Sequence, residues 1–147
     1  MLNQNIKITV DAIVFCHNGP VMQVLLVKRK NPPFQGMWSF PGGFVEDDEE
    51  LETAALRELQ EETGLKLASM RQLHTFGKVG RDPRGRTVSV AYYAFIEPEG
   101  TEVEADDDAA EAQWVDVKSV TELAFDHMEI LELAQQDLGN RMSFLIS

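Results

Sequence analysis

Cysteine is nearly missing from this chain of 147 residues: Cys16 is the single one. No internal disulfide can form, and no zinc site built on two or more thiolates is available. Cys16 sits in an apolar run, so it reads as a buried structural thiol and not as a nucleophile. Basic residues are scarce as well. Thirteen Lys and Arg stand against 25 Asp and Glu, giving a formal charge of −12 and a sequence pI near 4.6. Such a chain lacks the basic face with which nucleic-acid polymers are held through their phosphates. It equally lacks the basic patch that docks on anionic membranes. Long apolar runs are absent: nothing approaches the roughly 18 uninterrupted apolar residues of a membrane-spanning helix. The N-terminus has no basic segment followed by an apolar one. The expectation is therefore a cytoplasmic protein without signal peptide or membrane span.

What is present is ordinary in amount and uneven in distribution. Hydrophobic residues make up 44% and charged residues 26%, as in typical globular domains. The length suits one domain over residues 1–147, able to bury roughly two-thirds of its unfolded surface. There is no internal repeat, low-complexity tract or Gly/Ser linker to divide it. The acids, however, cluster. Residues 43–65 hold nine acids and one base, Arg57, for a net of −8. A second run from Glu97 to Glu111 holds eight acids and no base.

The pattern along the chain alternates strands and helices. Ile6 to Cys16 and Val21 to Arg29 read as strands rich in β-branched and aliphatic residues, joined by the turn His17-Asn18-Gly19-Pro20. Met37 to Phe40 is a short apolar stretch, closed by a tight loop at Pro41-Gly42-Gly43. Glu49 to Thr63 reads as a helix with acids at its start and Gly64 as its stop. Met70 to Val79 and Thr87 to Ile96 read as strands separated by a polar, basic loop, Arg81-Asp82-Pro83-Arg84-Gly85-Arg86. Ala112 to Val117 reads as a short strand and Ser119 to Leu123 as a helical turn. A last helix over Phe125 to Leu138 is expected to end at Gly139-Asn140. Its Met128, Ile130, Leu131, Leu133, Ala134 and Leu138 have core spacing, and His127 reads as a satisfied structural histidine. His17 and His74 carry no motif.

Chemistry concentrates on the first helix. At about 100° per residue, Glu58, Glu61 and Glu62 share an arc of about 100°. Ala54 and Ala55 lie on the same side one turn earlier, so that face is uncrowded. Arg57 lies beside Glu61, with the forked geometry that holds carboxylates. Three like charges so placed destabilise a helix, and a divalent cation is the natural remedy. Mg²⁺ takes carboxylate oxygens, keeps several waters and is completed by substrate phosphates. Clustered metals also activate water and clamp an in-line displacement at phosphorus. The Gly-Gly loop before the helix lets backbone approach such a site closely.

Gly43, Glu49, Arg57, Glu58, Leu59, Glu61, Glu62, Gly64 and Leu65 fill every fixed position of the pattern G-x5-E-x7-R-E-U-x-E-E-x-G-U, U being a large aliphatic residue. The segment thereby resembles the Nudix box. Upstream, Lys28-Arg29, Pro33, Gly36, Trp38 and Pro41-Gly42-Gly43 look like the usual approach to that box, and downstream Trp114-Val115 before a C-terminal helix also fits. The resemblance implies an α/β (α+β) fold, the Nudix-type α/β/α sandwich, with a mixed β-sheet between helices and the box as a loop-helix-loop. It implies hydrolysis of a nucleoside diphosphate linked to another group, with Mg²⁺ as cofactor and Mn²⁺ as its substitute. Carried over by position, Glu58 and Glu62 are metal ligands, Glu61 is a further ligand or water activator, and the Gly42 carbonyl is an added ligand. Arg57 and Glu49 orient the glutamates. A carboxylate from a later loop often assists, and Asp107, Asp108 and Glu111 lie where it would be expected, Asp108 being the choice made here. The family also favours a homodimer.

The box sets the reaction class and leaves the substrate open. The stretch Phe76 to Arg86, the approach through Lys28-Arg29 to Trp38, and the late Ala124-Phe125-Asp126-His127 look like the ADP-ribose pyrophosphatase branch. Arg29, Arg81, Arg84 and Arg86 are then substrate-binding candidates for phosphate or ribose oxygens. Phe34, Trp38, Phe44 and Phe76 are aromatics able to stack a base, with Phe44 foremost. The signature of NADH-cleaving relatives is absent. The resulting expectation is a small nucleotide as partner and hydrolysis of ADP-ribose to AMP and ribose 5-phosphate. The alternatives are a nucleoside-triphosphate pyrophosphatase, including one for oxidised nucleotides, and a non-catalytic module that senses ADP-ribose.

Overall fold

The computed structural model describes residues 3–98 and 109–146. The chain order is β1 (Lys7–Asn18), β2 (Val21–Arg29), β3 (Trp38–Ser39), β4 (Gly42–Phe44), α1 (Leu51–Thr63), β5 (Arg71–Phe76), β6 (Thr87–Ile96), β7 (Ala109–Asp116), a 3₁₀ turn (Val117–Ser119) and α2 (His127–Ile146). The strands form one sheet with the path β3-β2-β1-β6-β5, β4 joining β1 and β7 joining β2. Among the described residues only β1 and β6 pair in parallel, so the sheet is mixed.

The period of two along β1 explains the layering. Val10, Ala12 and Val14 pack with Leu25 and with Ala54, Ala55 and Leu59 of α1. Ile13 and Phe15, between and beyond them, pack with Leu26 and with Ile130, Leu131, Ala134 and Leu138 of α2. Successive side chains of a strand point to opposite faces, so the two helices cover opposite faces of the sheet. Burial on both faces is why β1 reads as an almost unbroken apolar run. This is a mixed sheet between two helices, the α+β Nudix fold expected from the box. No helix among the described residues is long and apolar enough to cross a membrane.

Several local expectations need correction. The Pro41-Gly42-Gly43 segment is not only a loop. Gly42–Phe44 forms β4, paired antiparallel with Thr9 to Asp11, and the Ala12 amide donates to the Pro41 carbonyl at 2.8 Å. Helix α1 starts at Leu51, two residues later than expected, and stops as expected at Gly64, whose φ of +77° is the left-handed cap. Helix α2 runs through Gly139 and Asn140 to Ile146. A glycine inside a helix costs only about 1 kcal/mol and ends it only where φ turns positive, which Gly139 does not do. The helical turn expected at Ser119–Leu123 is instead a 3₁₀ turn at Val117–Ser119, capped by the Asp116 side chain on the Lys118 amide. β5 stops at Phe76, because Gly77 to Gly80 belongs to the following loop.

Candidate active site

Helix α1 turns Ala54, Ala55, Leu59 and Thr63 into the core. Its glutamates flank that face and meet the β4 glycines. The Gly42 amide donates to Glu62 Oε2 at 2.7 Å. A Cβ placed on Gly43 would lie 2.6 Å from Glu58 Oε1, so only glycine admits this carboxylate so near the strand. Arg57 gathers the rest. Its Nε and Nη2 donate to the two oxygens of Glu49 at 2.6 and 2.9 Å. Its Nη1 donates to Glu58 Oε1 at 2.9 Å and to Glu61 Oε2 at 3.2 Å. Glu49, just before α1, also accepts the Glu46 amide at 3.2 Å. The forked bond from Arg57 holds the Glu49 carboxyl below its ordinary value. Bonding to Glu49 and the charge of Glu58 drive the Arg57 guanidinium upward, past any pH at which it could lose its proton.

Of these groups Gly42, Gly43, Arg57, Glu58 and Glu62 line one wall of a cavity of about 540 Å³, and Glu49 and Glu61 stand outside its lining; the volume is within the usual range for small-molecule sites. The opposite wall is basic and aromatic. Arg81 donates to both oxygens of Asp126 at 2.9 and 2.7 Å, with its side chain only 4% exposed. Arg84 forks onto Asp82 at 3.1 and 2.8 Å. The Arg84 guanidinium stands 4.8 Å from the Phe44 ring centre and 5.6 Å from that of Phe125. The Arg29 guanidinium lies 4.9 Å over the centre of the Phe125 ring, and its Nε donates to the Pro33 carbonyl at 2.6 Å. Burial and the neighbouring charge of Arg84 lower the Arg29 pKa. Phe34 and Phe125 touch edge to face at 4.8 Å. Both hold positive φ, +58° and +54°, an uncommon and costly backbone state for a bulky residue.

The floor is polar and buried. Asp11, 7% exposed, and His127, 3% exposed, line it together. His127 Nε2 is 3.3 Å from Asp11 Oδ1, and Ser89 donates to Asp11 Oδ2 at 2.5 Å. Burial alone would raise the Asp11 pKa. The bonds from His127 and Ser89 and the charge of Arg81 bring it below the ordinary value.

The structure therefore gathers Gly42, Phe44, Arg57, Glu58, Glu62, Arg29, Arg81 and Arg84 at one cavity. Other candidates fall elsewhere. Glu61 does not line the cavity: its side chain is 48% exposed and is held by Arg57. The three glutamates thus do not converge, and among the described residues no group of three acids, histidines or cysteines stands ready to hold a metal. Mutual repulsion and the pull of Arg57 on Glu58 and Glu61 account for that. Arg86 also lies outside the lining, its Nη1 on the Gly77 carbonyl at 2.7 Å. Glu111 is not itself among the lining residues, but it pairs at 3.8 Å with Lys28, which is. Asp107 and Asp108 lie outside the described residues. Trp38 and Phe76 pack against the core and not in the site. Sequence reasoning passed over Asp11, Asp82 and Phe125 as site residues and read His127 as structural. Asp11 had one visible signal, being the sole charge inside the apolar run of β1.

A family model described as the NUDIX domain matches residues 6–134. The chain is 41% identical over 125 residues to an ADP-ribose pyrophosphatase of Methanocaldococcus jannaschii, covering 85% of this chain and 70% of that one. It is 34% identical over 140 residues to the ADPR responsive transcriptional repressor NtrR of Acinetobacter baylyi, covering 92% of this chain and 56% of that protein. Among solved structures, the NUDIX domain of Shewanella oneidensis NrtR complexed with ADP ribose superposes with a TM-score of 0.86 at 35% identity, covering 92% of this chain and 90% of that one.

Proposed function

The chain belongs to the Nudix family of hydrolases, and we propose that it cleaves the diphosphate of ADP-ribose to AMP and ribose 5-phosphate. The observation that carries this reading is the two-signed cavity. Glu58 and Glu62 stand on one wall, and Arg29 and Arg84 stand with Phe44 and Phe125 on the other. A diphosphate with a base at one end meets cations, carboxylates and aromatic rings in one span. The archaeal relative and the ADP-ribose-bound domain point to the same ligand.

Nudix hydrolases generally use divalent metals, and the donor set here suits one. Carboxylate and carbonyl oxygens are the ligands of hard cations, and the Gly42-Gly43 cradle admits no side chain where Glu58 and Asp11 press against it. Glu58, Glu62 and the Gly42 carbonyl would hold Mg²⁺, or Mn²⁺ in its place, with Glu61 as a further ligand or as the base once it leaves Arg57. Such an ion neutralises developing charge on phosphoryl oxygens and acidifies water. Within the chain, Glu49 fixes Arg57, and Arg57 fixes Glu58 and Glu61. Arg29 and Arg84 hold the diphosphate oxygens, Phe44 faces the nucleoside, and Arg81 shapes the loop through Asp126. Asp108 assists from the later segment. Water adds across the P–O–P linkage, and one phosphate keeps the bridging oxygen. The reading extends to a cytoplasmic homodimer.

The test is direct. Purified protein with ADP-ribose and Mg²⁺ should release AMP and ribose 5-phosphate, and Glu62→Gln should lower turnover by about 10²–10³-fold with an unchanged melting curve. Pyrophosphate from a nucleoside-triphosphate panel, with ADP-ribose untouched, would instead favour the oxidised-nucleotide alternative. A second reading, an ADP-ribose sensor, is favoured by the likeness to the Acinetobacter repressor. Tight ADP-ribose binding without any AMP would select it.

A further inference from the structure

Asp11 is an expensive residue where it stands. A carboxylate buried in the central strand costs more than an apolar residue of similar size unless its partners hold it well. Its partners here come from three separate elements. The Phe40 amide donates to His127 Nδ1 at 3.1 Å, across 87 residues of sequence. That bond makes Nδ1 the acceptor, so the ring proton sits on Nε2, which points at Asp11 Oδ1 from 3.3 Å. Ser89 of β6 holds the other oxygen. On its remaining side Asp11 faces Gly42, its register partner in β4. A Cβ on Gly42 would come within 2.7 Å of Asp11 Oδ1 and 2.2 Å of the Val10 carbonyl. The Gly42 amide, in turn, is the one that donates to Glu62.

A continuous chain of contacts thus crosses the sheet, from the first residue of α2 to the last turn of α1. His127 holds the strand link at Phe40 with one nitrogen and Asp11 with the other. Asp11 backs Gly42, and Gly42 aims Glu62. Pro41 between them is tied to β1 by the Ala12 amide at 2.8 Å, so the segment has little freedom to shift on its own.

We propose that His127 and Asp11 are positioning residues, which set the Gly42 backbone against Glu62 from the far face of the sheet and thereby set the oxygen geometry of the cation site. The proposal rests on the reading of Glu58, Glu62 and Gly42 as the cation donors. Both line the floor of the cavity, and neither is among the cation donors. Their role differs from that of a merely satisfied core histidine in one respect: loss of the relay disturbs ion affinity and turnover more than it disturbs the fold.

Asp11→Asn keeps the shape but loses the charge and turns one of the two acceptor oxygens into an NH2 donor, and His127→Asn keeps an acceptor for Phe40 but falls short of Asp11. Each should weaken Mn²⁺ binding to substrate-free protein, measured by calorimetry, by about 10-fold, in keeping with partners one shell out from a metal. Each should lower kcat for ADP-ribose by a similar factor with KM within twofold. Leu138→Ala, a core change on α2 remote from the relay, should lower the melting temperature yet leave Mn²⁺ affinity and kcat within twofold. Folded Asp11→Asn with wild-type Mn²⁺ affinity overturns the proposal, as does Leu138→Ala with equal losses. If Asp11→Asn does not fold, Ser89→Ala is titrated with Mn²⁺ instead. About threefold weakening is expected there, and no change overturns the proposal. The Mn²⁺ titration uses no substrate, so a wild-type protein that releases no AMP sinks the proposed reaction while the relay is still judged by ion affinity.

Discussion

Two charged regions face each other across the cavity and are wired in opposite ways. In the segment 43–65, one cation serves three carboxylates: Arg57 holds Glu49, Glu58 and Glu61, and Glu62 takes a backbone amide. In the loop 81–86, Arg81 has Asp126 and Arg84 has Asp82, one carboxylate each. The first wall is short of positive charge, so it is suited to recruit a cation. The second has its arginines already matched, so it contributes fixed donors, shape and ring contacts more than net charge. The conspicuous arginines of an acidic chain therefore do less electrostatic work than their number suggests. Their guanidinium planes are pre-set by aspartates, which lowers the ordering cost of meeting a diphosphate.

The contrast is broken most sharply at Arg57. Arg57→Lys keeps one charge and loses the fork, so Glu49, Glu58 and Glu61 can no longer be held together. Turnover should fall about 10–100-fold, and the melting midpoint by about 3–6 °C, as expected for loss of about 1–2 kcal/mol of charged hydrogen bonding; steady-state kinetics and thermal melts check both. The other wall is probed by a pair of variants. Arg84→Ala should raise KM for ADP-ribose about 10-fold with kcat little changed, having lost a stacked and forked cation. Arg86→Ala, whose side chain is tied to Gly77 outside the cavity, should alter KM less than twofold. Equal effects from the two arginines would erase the distinction drawn here.

The smallest expected effect is on acid stability. The bond from Arg57 lowers the Glu49 pKa. For Asp82 burial pushes upward, but the bonds and charge of Arg84 outweigh it and bring the value down. A carboxylate whose folded pKa is depressed adds stability that is complete above its unfolded value, near 4, and is lost as pH falls through the folded value. Melting temperatures followed from pH 6 down should hold until about pH 4 and then decline. Arg57→Lys and Arg84→Ala should each flatten that decline, because Glu49 and Asp82 each accept two bonds from one guanidinium.

Legibility followed the sequence distance of each contact. The box was readable because its residues meet within one helix and the turn before it, where spacing alone sets the neighbours. Even there, spacing placed Glu61 with Glu58 and Glu62 on one arc, and the structure put its carboxylate outward on Arg57. An arc fixes where a side chain leaves the helix, and a neighbouring cation decides where its end goes. The layering of the sheet was partly readable from the run in β1, which is apolar because both faces are covered. The extent of α2 was misjudged because Gly139 marks a stop only when the backbone turns left-handed. Phe125 was legible only as part of the stretch Ala124-Phe125-Asp126-His127, since its positive φ and its place between Arg29, Arg84 and Phe34 arise from packing.

The amino-acid sequence by itself determined the family and the acidic half of the site, through nine fixed positions in one short stretch. Local geometry is enough to bring Glu49, Arg57, Glu58 and Glu61 together. The tertiary structure alone decided what opposes them. Residues from β1, β2, the 81–86 loop and the start of α2 converge only because a mixed sheet lays β1 between β2 and β6. That convergence put Asp11 under Gly42 and matched Arg81 and Arg84 with their aspartates. The long-range burial that made it depends on the whole core, and no short motif encodes it.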